Sequence, residues 1–142
     1  MAENLNKTFN EVLNTKSISA DTTLANTDSG KLLLIDASSA GNITITLPSV
    51  EDGLVVEAVL VAASNAAAEV LFDAGTGKTI AGSTVTLQLV GLGGNVVAAV
   101  SAQTVGFADE AALGSRIKIV CNGTGWFIIH ADSDPAMITS FS

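Results

Sequence analysis

Apolar and polar positions alternate in short bursts along most of this chain. Residues 42–47 (NITITL) put Ile43, Ile45 and Leu47 on one side and Thr44 and Thr46 on the other, the two-residue period of a strand. Residues 84–90 (TVTLQLV) alternate in the same way. Residues 31–37 (KLLLIDA) read as a largely buried strand, and residues 54–62 (LVVEAVLVA) as a long, β-branched one. Residues 69–73, 78–81, 96–100 and 104–107 are further strand candidates. Residues 116–121 (RIKIVC) and 126–131 (WFIIHA) make the last clear pair.

Turn signals separate these runs: Thr27-Asp28-Ser29-Gly30, residues 38–41, Glu51-Asp52-Gly53 and Ala74-Gly75-Thr76-Gly77. Pro48 stops the strand before it. Asn122-Gly123 is the sharpest signal, because Asn-Gly tolerates the positive φ that a tight hairpin requires. Residues 109–113 (DEAAL) have room for one helical turn. Strands recurring every 8–12 residues, with no long helical period between them, predict an all-β fold. The expectation is a compact β-sandwich or barrel-like domain of short antiparallel strands, and no internal repeat of fixed length is visible.

The ends differ from the middle. Leu5, Phe9, Val12 and Leu13 fall on one face of a helical wheel, set among Asn4, Asn6, Asn10 and Asn14. The chain therefore divides into an N-terminal arm or short helix (1–16), a β-domain (17–131) and a polar C-terminal tail (132–142). Met137, Ile138 and Phe141 are possible anchors in that tail.

Composition narrows the function. Of 142 residues, 48% are hydrophobic but only 4% aromatic, and the net charge is −8. Mean hydropathy is +0.50. An acidic chain is a poor binder of phosphate backbones, so no nucleic-acid partner is expected. No apolar run is long enough for a membrane helix, and the N-terminus has no basic segment followed by an apolar one. The expectation is a whole protein, starting at Met1 and made in a cytoplasm. One cysteine, Cys121, excludes an internal disulfide, and one histidine, His130, excludes a two-histidine metal motif.

Candidate chemistry is sparse. Gly75-Thr76-Gly77-Lys78-Thr79 looks like part of a phosphate loop, but Phe72 stands where that loop needs a glycine and no helix follows. His130 lies in the 126–131 strand as a strand-face residue and has no serine elbow to serve. Glu51-Asp52, Asp109-Glu110 and Asp132-x-Asp134 lack the ligand spacing of a calcium loop. Trp126 reads as a packed anchor, and Cys121 as a small buried hydrophobe. The chain is read as a non-enzyme with no catalytic residues, no cofactor and no metal.

The order of segments carries a resemblance. "ADTTL…TDSGKLLLIDA" (residues 20–37), "ITITLPS" (43–49), "AGTGKTIAGS" (74–83) and "IKIVCNGTGWFIIHA" (117–131) occur in sequence. This order resembles bacteriophage head-decoration proteins, and also tail-fibre and spike domains. The resemblance implies a small, trimeric β-protein on the outer surface of a virion that binds the major capsid protein and stabilises the shell. In this reading Leu5, Phe9, Val12 and Leu13 form the capsid-contact arm. The alternative is a trimeric fibre or spike domain that binds host-surface glycans. The absence of Tyr and the single Trp count against it, since sugars stack on exposed aromatic rings.

Overall fold

A computed structural model describes residues 14–38, 41–62, 68–86, 96–107, 111–133 and 137–140. Those residues form twelve strands and one 3-10 turn. The strands are β1 (Thr15–Ile18), β2 (Thr22–Thr23), β3 (Leu32–Asp36), β4 (Ile43–Thr46), β5 (Asp52–Ala62) and β6 (Val70–Asp73). They continue with β7 (Ile80–Thr86), β8 (Val96–Ala102), β9 (Thr104–Phe107), β10 (Arg116–Asn122), β11 (Trp126–Ser133) and β12 (Met137–Ser140). A seven-stranded sheet has the order β1-β3-β5-β10-β11-β7-β8, and a five-stranded sheet the order β12-β9-β6-β4-β2. The compact all-β domain predicted from the turn spacing is what forms.

The pairing is mixed rather than antiparallel throughout, and chain order explains why. From β1 to β7 the odd strands lie in the large sheet and the even strands in the small one. Among β1 to β6 each strand therefore pairs with the strand two places along the chain, which runs the same way. β1, β3 and β5 are parallel, as are β2, β4 and β6. The first half of the chain thus winds as three rungs, β1–β2, β3–β4 and β5–β6. The register joins Thr15 to Leu32 and Leu32 to Glu57, steps of unequal length, so the winding leaves no fixed repeat in the sequence.

Side chains lock one rung to the next. Asp21 and Asn42 each stand one residue before their rung's small-sheet strand. Asp21 Oδ1 accepts from the Thr44 backbone N–H at 2.8 Å, and Asn42 Oδ1 from that of Glu69 at 3.1 Å. These bonds satisfy N–H groups at the point where the parallel ladder begins. At the other end of the same strands Leu24, Leu47 and Ala74 stack, all buried, through Leu24 N–H to Thr46 O and Leu47 N–H to Asp73 O.

The expected turn at Thr27–Gly30 is a 3-10 turn, Asn26–Asp28, followed by Gly30 at φ +79. Asp28 is 8% exposed and accepts from Lys16 Nζ at 2.6 Å, Lys31 Nζ at 2.8 Å and the Ala25 N–H at 3.2 Å. The Lys16 bond first, and the Lys31 bond second, hold its carboxyl well below the usual carboxylate range against the opposing effect of burial. This pins edge strand β1 to the start of β3.

The second half pairs mostly antiparallel. The predicted hairpin joins β10 to β11, with Cys121 opposite Trp126. Its turn sits one residue later than a turn centred on Asn-Gly. Asn122 N–H donates to Gly125 O at 3.2 Å, so Gly123 (φ +82) and Thr124 occupy the centre. The Asn122 side-chain oxygen accepts from the Thr124 and Gly125 N–H groups, each at 3.1 Å. Gly82 and Ser83, which break the sequence pattern between residues 78–81 and 84–90, lie inside one strand, β7. Gly82 has φ +146, and a Cβ there would fall 2.8 Å from the Ile128 Cβ. Only glycine admits this approach, so the residue marks contact with β11 rather than a turn.

The inner faces share one core. Ile18, Leu33, Ile35, Val56, Leu60, Ile117, Ile119 and Trp126 come from the large sheet. Ile43, Ile45, Val70, Phe72, Val105 and Phe107 come from the small one. Phe72 and Phe107 meet edge to face at 6.1 Å. Trp126 is fully buried, as expected for an anchor, and its Nε1 has no hydrogen-bond partner. Strands extend into the segments assigned to the ends: β1 starts at Thr15, β11 runs to Ser133, and β12 pairs Met137 with Phe107. Residues 109–110 of the expected helical turn lie outside the described residues, and Leu113-Gly114 is a turn.

Candidate interaction surface

The large sheet has a second face, turned away from the core. In β5 burial alternates along Leu54–Val61, with Leu54, Val56, Ala58 and Leu60 inward and Val55, Glu57, Val59 and Val61 outward. Register then assigns the neighbours. Leu32 and Leu34 of β3 pair with Glu57 and Val59. Val120, Lys118 and Arg116 of β10 pair with Val55, Glu57 and Val59. Phe127 and His130 of β11 pair with Val120 and Lys118.

A register shift in β11 adds to this face. Ile119 pairs with Ile128 while Lys118 pairs with His130, leaving Ile129 as the extra residue of a bulge. Ile128 packs against the core, and Ile129 is 63% exposed. Phe127 is 40% exposed and Val61 47%. The outward face thus carries Leu32, Leu34, Val55, Val59, Val61, Val120, Phe127 and Ile129, half-buried or exposed.

Its centre is charged. Lys118 Nζ lies 3.4 Å from Glu57 Oε2, and both side chains are about two-fifths exposed. A pair in that setting contributes little to the stability of a lone protomer. Beside it a depression of about 330 Å³ is lined by Leu32, Glu57, Ala58, Val59, Gly114 and Arg116. Contiguous apolar surface around a small polar centre is the make-up of a protein-binding patch.

The residues singled out from sequence fall elsewhere, with one exception. His130 is exposed and stands on this face opposite Lys118. Cys121 is buried on the inner face of β10. The Gly75–Thr79 segment is a turn, with Lys78 N–H donating to Gly75 O at 3.0 Å and strand β7 following. Thr76 and Lys78 border a cavity of about 230 Å³ with Leu47, Pro48, Ser49 and Val50. Glu51 accepts from the Asn26 side-chain amide. Leu5, Phe9, Val12, Leu13, Asp109, Glu110 and Asp134 lie outside the described residues.

Among the described residues no group of three His, Cys, Asp or Glu side chains gathers to hold a metal ion. No described helix is long and apolar enough to cross a membrane. No protein-family model, no curated protein and no solved structure matches the chain. The apolar outer face was missed in the sequence, although a signal was present. KLLLI, LVVEAVLV and WFII are nearly continuous apolar runs, the pattern of strands covered on both faces, whereas NITIT alternates cleanly.

Proposed function

We propose that this protein is a structural component of a bacteriophage particle that binds the outer surface of the capsid and stabilises the shell, as a homotrimer. The outer face of the large sheet carries the functional class: broad apolar surface without convergent catalytic groups around it suits a protein that works by protein–protein contact. The order of segments from residue 20 to residue 131 supplies the phage context, by resemblance alone. The mechanism is mechanical. Binding across capsid subunits adds its free energy to that of the intact shell, and three linked copies hold on together more tightly than one. Leu5, Phe9, Val12 and Leu13 act as the arm that reaches the major capsid protein. Trp126 is buried, leaving Phe127 as the exposed large aromatic among the described residues, which gives little for host glycans to stack on.

The test is a mixture of the protein with undecorated heads. The expected result is saturable binding and a raised temperature of DNA release. Removal of residues 1–13, which spares the Asn14 carbonyl that bonds Leu32, abolishes binding while the circular dichroism spectrum is kept. Heads that neither bind the full chain nor gain heat resistance would sink the proposal. Tight, specific binding on a glycan array would put the fibre reading in its place.

A further inference from the structure

The outer face of the large sheet fits one partner better than others, a second copy of the same face. The reasoning starts from its charges. Most of the surface is apolar, so its few charges decide what can lie against it. Glu57 and Lys118 sit side by side at its centre, one of each sign, on adjacent strands β5 and β10. Arg116 follows on the same side of β10, two residues from Lys118. A wholly apolar partner would strip water from both central charges without replacing the lost interactions. A uniformly acidic or basic partner would attract one of them and repel the other. A copy of this face offers both signs in the same spacing, so Glu57 of one protomer can meet Lys118 of its partner, and the reverse.

Area supports the same partner. Four strands at the usual spacing, with side-chain margins, span about 20 Å, and residues 55–61 with their margins span about 25 Å along the strand. Each copy therefore contributes about 500 Å², and two faces together about 1,000 Å², the lower bound for a specific interface. Using nearly all of the patch is what the bound requires, and a partner of the same outline does so. The Ile129 bulge adds relief: it raises one large side chain, while the depression beside Leu32 and Arg116 lies across the sheet.

We infer that the outer face of the large sheet is a self-association surface, registered by Glu57 of one protomer opposite Lys118 of its partner. This inference rests on the reading above of a protein that works by protein contact; a face reciprocally paired with itself closes as a two-fold pair, so it is a contact separate from the three-fold association, and it leaves the N-terminal segment for the capsid.

Sedimentation velocity across a concentration series tests it with four chains: wild type, Glu57→Lys, Lys118→Glu and the double exchange. Both side chains are partly exposed, so each variant should fold, and circular dichroism checks that. Wild type is expected to assemble. Each single variant gathers like charges at the centre of the face and weakens assembly by at least about tenfold in dissociation constant. The two single variants mixed in equal amounts recover assembly, because one face is then basic and the other acidic. The double exchange restores both signs and assembles by itself. A wild type that stays monomeric throughout overturns the inference. So do single variants that assemble as tightly as wild type, or a mixture that fails to recover. Head binding, measured in parallel, separates the two proposals. A monomeric wild type that binds heads, and loses them with Glu57→Lys, assigns the face to the capsid protein instead. An assembling wild type that ignores heads removes the capsid role and leaves the self-association surface standing.

Discussion

The two sheets turn different outer faces to their surroundings. The small sheet shows Thr44 and Thr46 of β4, Leu71 and Asp73 of β6 and Thr104 of β9, mostly short polar groups at home in water. Across β3, β5, β10 and β11 the large sheet shows leucine, valine, phenylalanine and isoleucine around Glu57, Lys118, Arg116 and His130. Their inner faces merge in a single core, so the contrast does not arise from folding of the lone protomer. That exposed apolar face is the observation on which the proposed contact with a partner rests. The proposed self-association would cover the large sheet's outer face, whereas the small sheet's outer face needs no such cover.

The widest gap between inside and outside is expected for one residue type. Phe72 is fully buried against Phe107, so Phe72→Ala should lower unfolding free energy by about 3–5 kcal/mol. A shift in the urea midpoint at unchanged slope checks this. A loss below about 1 kcal/mol would mean that the two sheets are not packed as one core.

Asp28 probes the edge of the large sheet. Its carboxyl titrates lower in the folded chain than in the unfolded one, so its contribution is fully present above about pH 4, near the ordinary carboxylate value. It is lost as pH falls below that value, because the unfolded chain then binds the proton more readily. Asp28→Asn should cost about 2 kcal/mol at pH 7, less than a fully buried pair because both lysines are partly exposed. The same variant should lose less than wild type between pH 7 and pH 2.5, as measured by urea midpoints. Parallel acid limbs in the two proteins would show that the Lys16–Asp28–Lys31 contact adds nothing.

Phe127→Ser should have the smallest effect on the fold. The residue is 40% exposed, so the protomer should lose about 1 kcal/mol while assembly weakens clearly. A large drop in protomer stability with assembly unchanged would reverse the contrast between the two outer faces.

Strand placement was largely legible in the sequence, because a two-residue period and a glycine or Asn-Gly turn are local properties. Residues 104–107 were read as a strand with the bounds of β9, and Asn122-Gly123 located its hairpin. The strands expected separately at 78–81 and 84–90 join in β7, because Gly82 frees backbone for the neighbouring strand β11 rather than ending the run. Partnership was less legible. The expected antiparallel order failed in the first half, since no local feature records whether a strand's successor joins the same sheet or crosses to the other. The rungs are unequal in length, so no repeat betrays them. The apolar outer face was missed, although the nearly continuous apolar runs carried the signal of strands with two apolar sides.

The sequence by itself determined that the chain would be β-structure and where most strands would break, since both follow from residue type and short spacing. Only the tertiary structure decided which strands are neighbours, that the first half winds in three rungs, and that Glu57 and Lys118 meet at the centre of an apolar face. Those features depend on contacts between residues far apart in the chain, where the cost of closing a loop and the gain of a shared core are settled together.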